Sequence, residues 1–239
     1  MDLIHKEYSI NFTKKKRKPT NIKYLVFHYT GMKNEQKAID RLKNSKSKVS
    51  SHYVIKRNGQ IILLIPTLYI AWHAGVSSWK ENKFLNKSSI GIEITNRGHQ
   101  YSYQNFTKKQ ILSIIKLSKF LIKRFKIKKE NILGHSDIAP NRKKDPGEKF
   151  QWKFLSKNGI GKWHKLNKKK LIKMRKISID KNKLLKFKKN LIKFGYNKEL
   201  KNNFKTFKNV IIAFQRRFRP QIIDGKIDVE CYEILKSLI

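Results

Sequence analysis

Apolar positions recur along the chain with two different periods. Residues 22–27 are apolar but for Lys23 and run up to His28, a pattern that predicts a buried strand closed by Thr30-Gly31. Residues 89–95 (SIGIEIT) alternate instead. In an extended chain Ile90, Ile92 and Ile94 fall on one face and Gly91, Glu93 and Thr95 on the other, so Glu93 has small neighbours, as the wall of a cleft requires. Residues 53–57 and 60–65 flank Asn58-Gly59, a pair that favours the positive φ angles of a tight hairpin. From Thr107 the period becomes helical. Ile111, Ile114, Ile115, Ser118, Leu121, Ile122 and Phe125 share a face, and Thr107 with Gln110 forms a capping box at the start. Residues 35–44 read as a weaker helix. Strands alternating with helices predict an α/β domain.

The pattern changes near residue 156. Residues 156–179 are basic, weakly patterned and read as a linker. Beyond them Leu184, Phe187, Leu191 and Phe194 form one stripe, stopped by Gly195. Phe207, Val210, Ile211, Phe214 and Phe218 form a second, stopped by Pro220. Asp228 can cap a third helix carrying Val229, Tyr232 and Leu235. The expected division is a basic arm over 1–19, an α/β domain over 20–155, a linker over 156–179 and a three-helix unit over 180–239.

Composition bears on partners. The chain has 239 residues, with 57 Lys and Arg against 16 Asp and Glu, a formal net charge of +41. Such a field attracts polyanions, whether nucleic acid, anionic lipid or acidic wall polymer. The lysines, however, are spread through every segment, whereas nucleic-acid modules cluster charge on one face. Lys, Ile and Asn are all abundant, so the bias reads mainly as the drift of an AT-rich genome. Weak association with anionic surfaces is expected; specific nucleic-acid binding is not. The single cysteine, Cys231, excludes an internal disulfide and a cysteine metal cluster. The first twenty residues hold no apolar run of signal-peptide length, and no stretch approaches the ~20 apolar residues of a membrane span. Cytoplasm and cell envelope are both left open, and a monomer is expected.

Three residues could supply chemistry together: His28 at a strand end, His135 after Gly134, and Asp145 in the following loop. Two imidazoles and a carboxylate suit zinc with a fourth position left for water. Their spacing alone leaves a structural role open for each.

The segments YLVFHYTG, SSHYVIKRNGQI, AWHAGVSSW, SIGIEITN and GHSDIAPNRKKDPG occur in this order within residues 20–155. Together they resemble the type-2 N-acetylmuramoyl-L-alanine amidases, a zinc family that shares its fold with peptidoglycan-recognition proteins. AFQRRFRP followed by IDGKID resembles a three-helix peptidoglycan-binding domain, and the order of the two resembles the AmiD-like branch. The resemblance implies a mixed central β-sheet flanked by helices, and one Zn2+ per chain on His28, His135 and Asp145. It also implies catalytic roles for Glu93 and Lys143, and hydrolysis of the amide between N-acetylmuramic or anhydro-muramic acid and L-alanine in peptidoglycan or muropeptides. Zinc would make hydroxide available near neutral pH. Glu93 would move the proton to the leaving amine, and Lys143 would face the oxyanion.

His73 in AWHAG is expected to meet substrate and Asn86 and Arg142 to line the groove, while Trp72 and Trp79 are read equally as stacking on sugar or peptide and as core aromatics. His52 reads as structural, and His5, His99 and His164 as surface residues. Lys87 stands where relatives usually carry an acid. Two rival readings remain, a catalytically silent peptidoglycan-binding protein and a basic nucleic-acid-binding protein.

Overall fold

The computed structural model describes residues 4–196 and 204–239. Residues 1–3 of the expected arm and 197–203 of the expected three-helix unit lie outside the described residues. A six-stranded mixed sheet forms the centre. Its strands are β1 (Ile4–Lys6), β3 (Tyr24–Tyr29), β4 (Tyr53–Ile55), β5 (Ile61–Leu63), β9 (Ser89–Ile94) and β10 (Ile132–Gly134). Their order is β1-β5-β4-β9-β3-β10, and only the β4–β5 pair is antiparallel. Two small ribbons pair β2 (Phe12–Thr13) with β6 (Ile70–Ala71) and β7 (Ser78–Trp79) with β8 (Asn82–Lys83).

Alternation divides the sheet into two unlike faces. Leu25, Phe27, Ile90, Ile92, Ile94 and Ile132 are fully buried on one face, against α2 (Lys108–Phe125). Burying each such side chain contributes roughly 1.5–3 kcal/mol. Helix α2 starts at the Thr107–Gln110 capping box and lays Ile111, Ile114, Leu117 and Leu121 on the sheet. The other face carries His28 and Glu93 among Tyr24, Val26 and Leu133, with one helix over one end and a group of helices over the other. Helix α1 (Glu35–Lys43) packs Ile39 and Leu42 over Val54 and Ile62. At the β3–β10 end the cover comes from α3 (His135–Ile138), α6 (Lys181–Phe194), α7 (Phe204–Phe218) and α8 (Val229–Lys236). Phe187, Leu191, Phe214 and Phe218 share one cluster with Tyr24, Val26, Leu133 and Ile138.

Two stretches differ from the sequence reading. In place of a solvated arm, β1 pairs with β5 in the main sheet and β2 pairs with β6. Lys14, Lys15 and Lys16 are exposed, but Arg17 is buried and donates to the carbonyls of Thr67 and Asn86. Between 156 and 179 the chain is packed rather than loose. After α4 (Trp152–Lys157), Trp163 touches two core clusters and α5 (Lys168–Met174) buries Leu171. Both stretches carry short apolar signals that only tertiary pairing turns into structure. No helix of the described residues is long and apolar enough to cross a membrane.

Candidate metal centre and cleft

The candidate site lies at the carboxyl ends of the parallel strands, where open α/β sheets place ligands. Register brings its parts together. His28 of β3 sits opposite Glu93 of β9, and Phe27 sits opposite Gly134, so His135 emerges one residue beyond, beside His28. The loop after α3 then returns Asp145, whose carbonyl accepts from Ser136 N at 2.8 Å. His28 Nδ1 lies 2.8 Å from His135 Nδ1 and 3.1 Å from Asp145 Oδ2, and His135 Nδ1 lies 3.0 Å from that same oxygen. All three residues are buried.

Hydrogen-bond partners fix which ring nitrogens carry protons. Ser89 Oγ donates to Leu85 O at 2.6 Å, so it accepts from His73 Nε2 at 3.1 Å. His73 Nδ1 is then bare and accepts from His28 Nε2 at 3.0 Å, which leaves His28 Nδ1 bare in turn. His135 Nε2 donates to Ala74 O at 3.1 Å, so His135 Nδ1 is bare as well. Two imidazole lone pairs and a carboxylate oxygen therefore converge on one point. Three acceptors within about 3 Å repel one another unless a cation or a proton stands between them. Adjacent ligands of a tetrahedral zinc, with bonds of ~2.0–2.1 Å, are about 3.3 Å apart. This donor set thus fits a zinc-type ion, and the outward ring nitrogens already have the partners that orient metal-binding imidazoles.

Electrostatics agree with neutral rings. Burial, then the neighbouring His135, lowers His28 to about 4. Burial and the adjacent histidines 28 and 52 push His73 well below its ordinary value. Glu93 goes the other way. Burial first and Asp145 second raise it to about 8, against the opposing pull of Lys143. Its Oε2 is buried and has no hydrogen-bond partner among the described residues.

A cleft of about 550 Å³ opens over these groups. Glu93, His135 and Asp145 form its floor, with Lys143, Arg142 and Trp72 among the lining residues. Lys143 is half-buried, while Lys144 beside it is exposed. Arg142 donates to the carbonyls of Ala74 and Val76, at 3.0 and 2.6 Å. His73 meets the cleft but is mostly spent on orienting His28. Asn86 is not among the cleft residues; its Oδ1 accepts from the backbone N–H groups of His73 and Ala74, holding that loop in place. Of the two readings of Trp79, stacking on substrate and core, the structure has the second. Trp79 is 0% exposed, edge-on to Phe194 and Tyr196, and serves the core between the sheet and α6.

His52 is fully buried; its Nδ1 accepts from Gly91 N. His5 is exposed, whereas His99, read as a surface residue, lines the cleft. His99 Nδ1 lies 2.8 Å from the Tyr29 hydroxyl and its Nε2 is 3.0 Å from Glu148. Sequence reasoning also passed over Ser89. The alternation that singled out Glu93 puts Ser89, Gly91 and Glu93 on one face, and that was the available signal.

Comparisons with known proteins point one way. A family model described as N-acetylmuramoyl-L-alanine amidase matches residues 18–148. The chain is similar to the N-acetylmuramoyl-L-alanine amidase AmiD of Escherichia coli (strain K12), with 37% identity over 233 residues, 91% of this chain and 82% of that protein. Among solved structures, the complex of E. coli AmiD with the substrate anhydro-N-acetylmuramic acid-L-Ala-D-gamma-Glu-L-Lys matches with a TM-score of 0.80 at 35% identity, covering 95% of this chain and 91% of that one. AmpDh3 from Pseudomonas aeruginosa, in complex with anhydromuramic pentapeptide, matches with a TM-score of 0.79 at 30% identity, covering 95% and 93%.

Proposed function

Because the chain belongs to the N-acetylmuramoyl-L-alanine amidase family, we propose that it hydrolyses the amide joining (anhydro-)N-acetylmuramic acid to L-alanine in peptidoglycan or its fragments, with one zinc ion per chain. The observation that carries this reading is the convergence of two bare imidazole nitrogens and a carboxylate oxygen beneath an open cleft. His28 Nδ1, His135 Nδ1 and Asp145 Oδ2 would hold the ion. When bound, zinc supplies Lewis acidity, polarising the scissile carbonyl and bringing the pKa of a water towards ~7.

The chain's own groups do the rest. Glu93 takes the proton of the attacking water on its unpartnered Oε2 and carries it to the departing alanine nitrogen. Returning that proton is necessary because an amine leaves only once protonated. Lys143 places its ammonium at the cleft, where negative charge develops on the lactyl oxygen. Arg142 and Trp72 line the same space and are the substrate contacts most open to test. In this reading residues 20–155 carry the chemistry, and the helices within 180–239 form a unit resembling a wall-binding domain.

The test is incubation with a purified anhydro-muropeptide, with and without chelator, followed by mass spectrometry. Release of free stem peptide that chelator abolishes and zinc restores is expected. A zinc-loaded chain that binds the muropeptide and leaves it intact would establish the silent binding reading instead.

A further inference from the structure

The arginines of the segment 213–220, which resembles part of a wall-binding domain, face inward. Arg216, Arg217 and Arg219 are all buried. Arg219 is held within the helical region, donating to Asp228 at 2.7 Å and Asp224 at 3.2 Å. Arg217 reaches out of it. Its Nη1 donates to Asp137 Oδ2 at 2.5 Å and its Nη2 to Ile132 O at 3.0 Å, while its guanidinium lies 4.1 Å from the ring centre of Trp152.

Asp137 gathers further contacts. Its Oδ2 also accepts from Gly134 N at 2.8 Å, and its Oδ1 accepts from the Tyr196 hydroxyl at 3.2 Å. One buried carboxylate thus ties the end of β10 to Tyr196 and to α7. Between these ties stands α3, four residues long, whose first residue is His135. So short a helix has little internal hydrogen bonding to set its direction. A planar guanidinium that holds a carboxylate and a carbonyl at once can set it from outside.

We propose that Arg217 is a positioning residue for the metal centre: acting through Asp137, it fixes the direction of His135 Nδ1, and the C-terminal helices thereby complete the catalytic unit. The proposal rests on the reading of His28, His135 and Asp145 as zinc ligands. A lysine at 217 keeps the charge but lacks the planar fork whose two ends hold Asp137 and Ile132 in a fixed relative direction.

The experiment uses the full chain in four variants: Arg217→Lys, Arg217→Met with Asp137→Asn, Arg219→Lys and His135→Ala. Zinc affinity is read by chelator competition, ligand geometry by the visible spectrum of the cobalt(II) form, and stability by thermal unfolding without metal. Arg217→Lys is expected to weaken zinc by about 10- to 100-fold, the usual range for supporting contacts, and to alter the cobalt bands. The double variant removes both buried charges, and it is expected to fold while still binding zinc more weakly than the parent. Arg219→Lys disturbs only the helical region, so it should lose stability and keep the parent's affinity and spectrum.

The proposal is overturned if Arg217→Lys keeps the parent's affinity to within about twofold with an unchanged spectrum, or if Arg219→Lys weakens zinc as much. A parent chain that takes up no zinc, or a His135→Ala chain that binds it as well as the parent, overturns the ligand reading itself.

Discussion

Ser89 is two hydrogen bonds away from the candidate ligand His28, yet its hydroxyl decides which nitrogen of that ring is bare. Replacing it by alanine leaves His73 Nε2–H without an acceptor, at a cost of about 1–3 kcal/mol, or lets the ring shift its proton to Nδ1. That shift would push the proton of His28 onto the nitrogen that faces Asp145. Ser89→Ala is therefore expected to fold and to bind zinc about tenfold more weakly, measured by chelator competition; equal affinity would break the proton-relay account. Glu93→Gln is expected to keep zinc and to lose turnover by about 10²- to 10⁴-fold. The metal-free forms add a check that needs no substrate. Glu93 holds its proton up to a pH of about 8 when folded and only to its ordinary 4.5 when unfolded. The parent is thus destabilised as pH rises between those values, by an amount on the order of a few kcal/mol. Glu93→Gln lacks this loss, so the stability gap between the two chains should open above pH 4.5 and level off above 8. A constant gap across that range in urea titrations would place Glu93 in a wetter environment. At this scale the sequence was most readable where a residue sits inside a long specific segment, as His135 and Asp145 do. It was least readable for Ser89 and His99, whose roles come from hydrogen bonds to His73 and Glu148, residues that lie in other segments of the chain and meet them only in the fold.

Elements were legible in proportion to their own periodicity. Helix α2 begins and ends where its stripe and capping box put it, and Glu93 lies across the strand from the three isoleucines. Strand β1 has three residues and no period to read; it exists because β5 offers it an edge. The backbone of β9 sets a tighter constraint. A Cβ at Gly91 would stand 2.4 Å from His73 Cγ, closer than side chains allow, so the glycine is what lets the imidazole lie against the strand. Gly91→Ala is expected to cost about 1–3 kcal/mol through overpacking and to weaken zinc by displacing His73. Thermal unfolding of the metal-free chain and chelator competition read the two effects separately. A normal affinity would mean that His28 holds its orientation without His73.

For the whole molecule, the shared hydrophobic cluster of the C-terminal helices and the sheet was not legible in the sequence, because stripes such as Phe214 and Phe218 name a buried face and not its partner. Charge also acts at this scale. Arg41, Arg142, Lys143 and Lys144 line the cleft of a chain with net charge +41, and a muropeptide stem carries carboxylates. Raising salt from roughly 0.05 to 0.5 M is expected to lower kcat/KM about tenfold with little change in kcat, because capture is screened and chemistry is not. A flat profile would mean that the cationic surface plays no part in capture.

The link from Arg217 to Asp137 spans 80 residues of chain. During synthesis the three acceptors can gather once residue 145 has left the ribosome, but the guanidinium follows only after a further 72 residues, some 4–15 seconds later at 5–20 residues per second. A nascent chain would thus hold its cradle for a metal before the clasp that aims it arrives, and any ion captured in that interval would be held by a looser grip than in the finished protein.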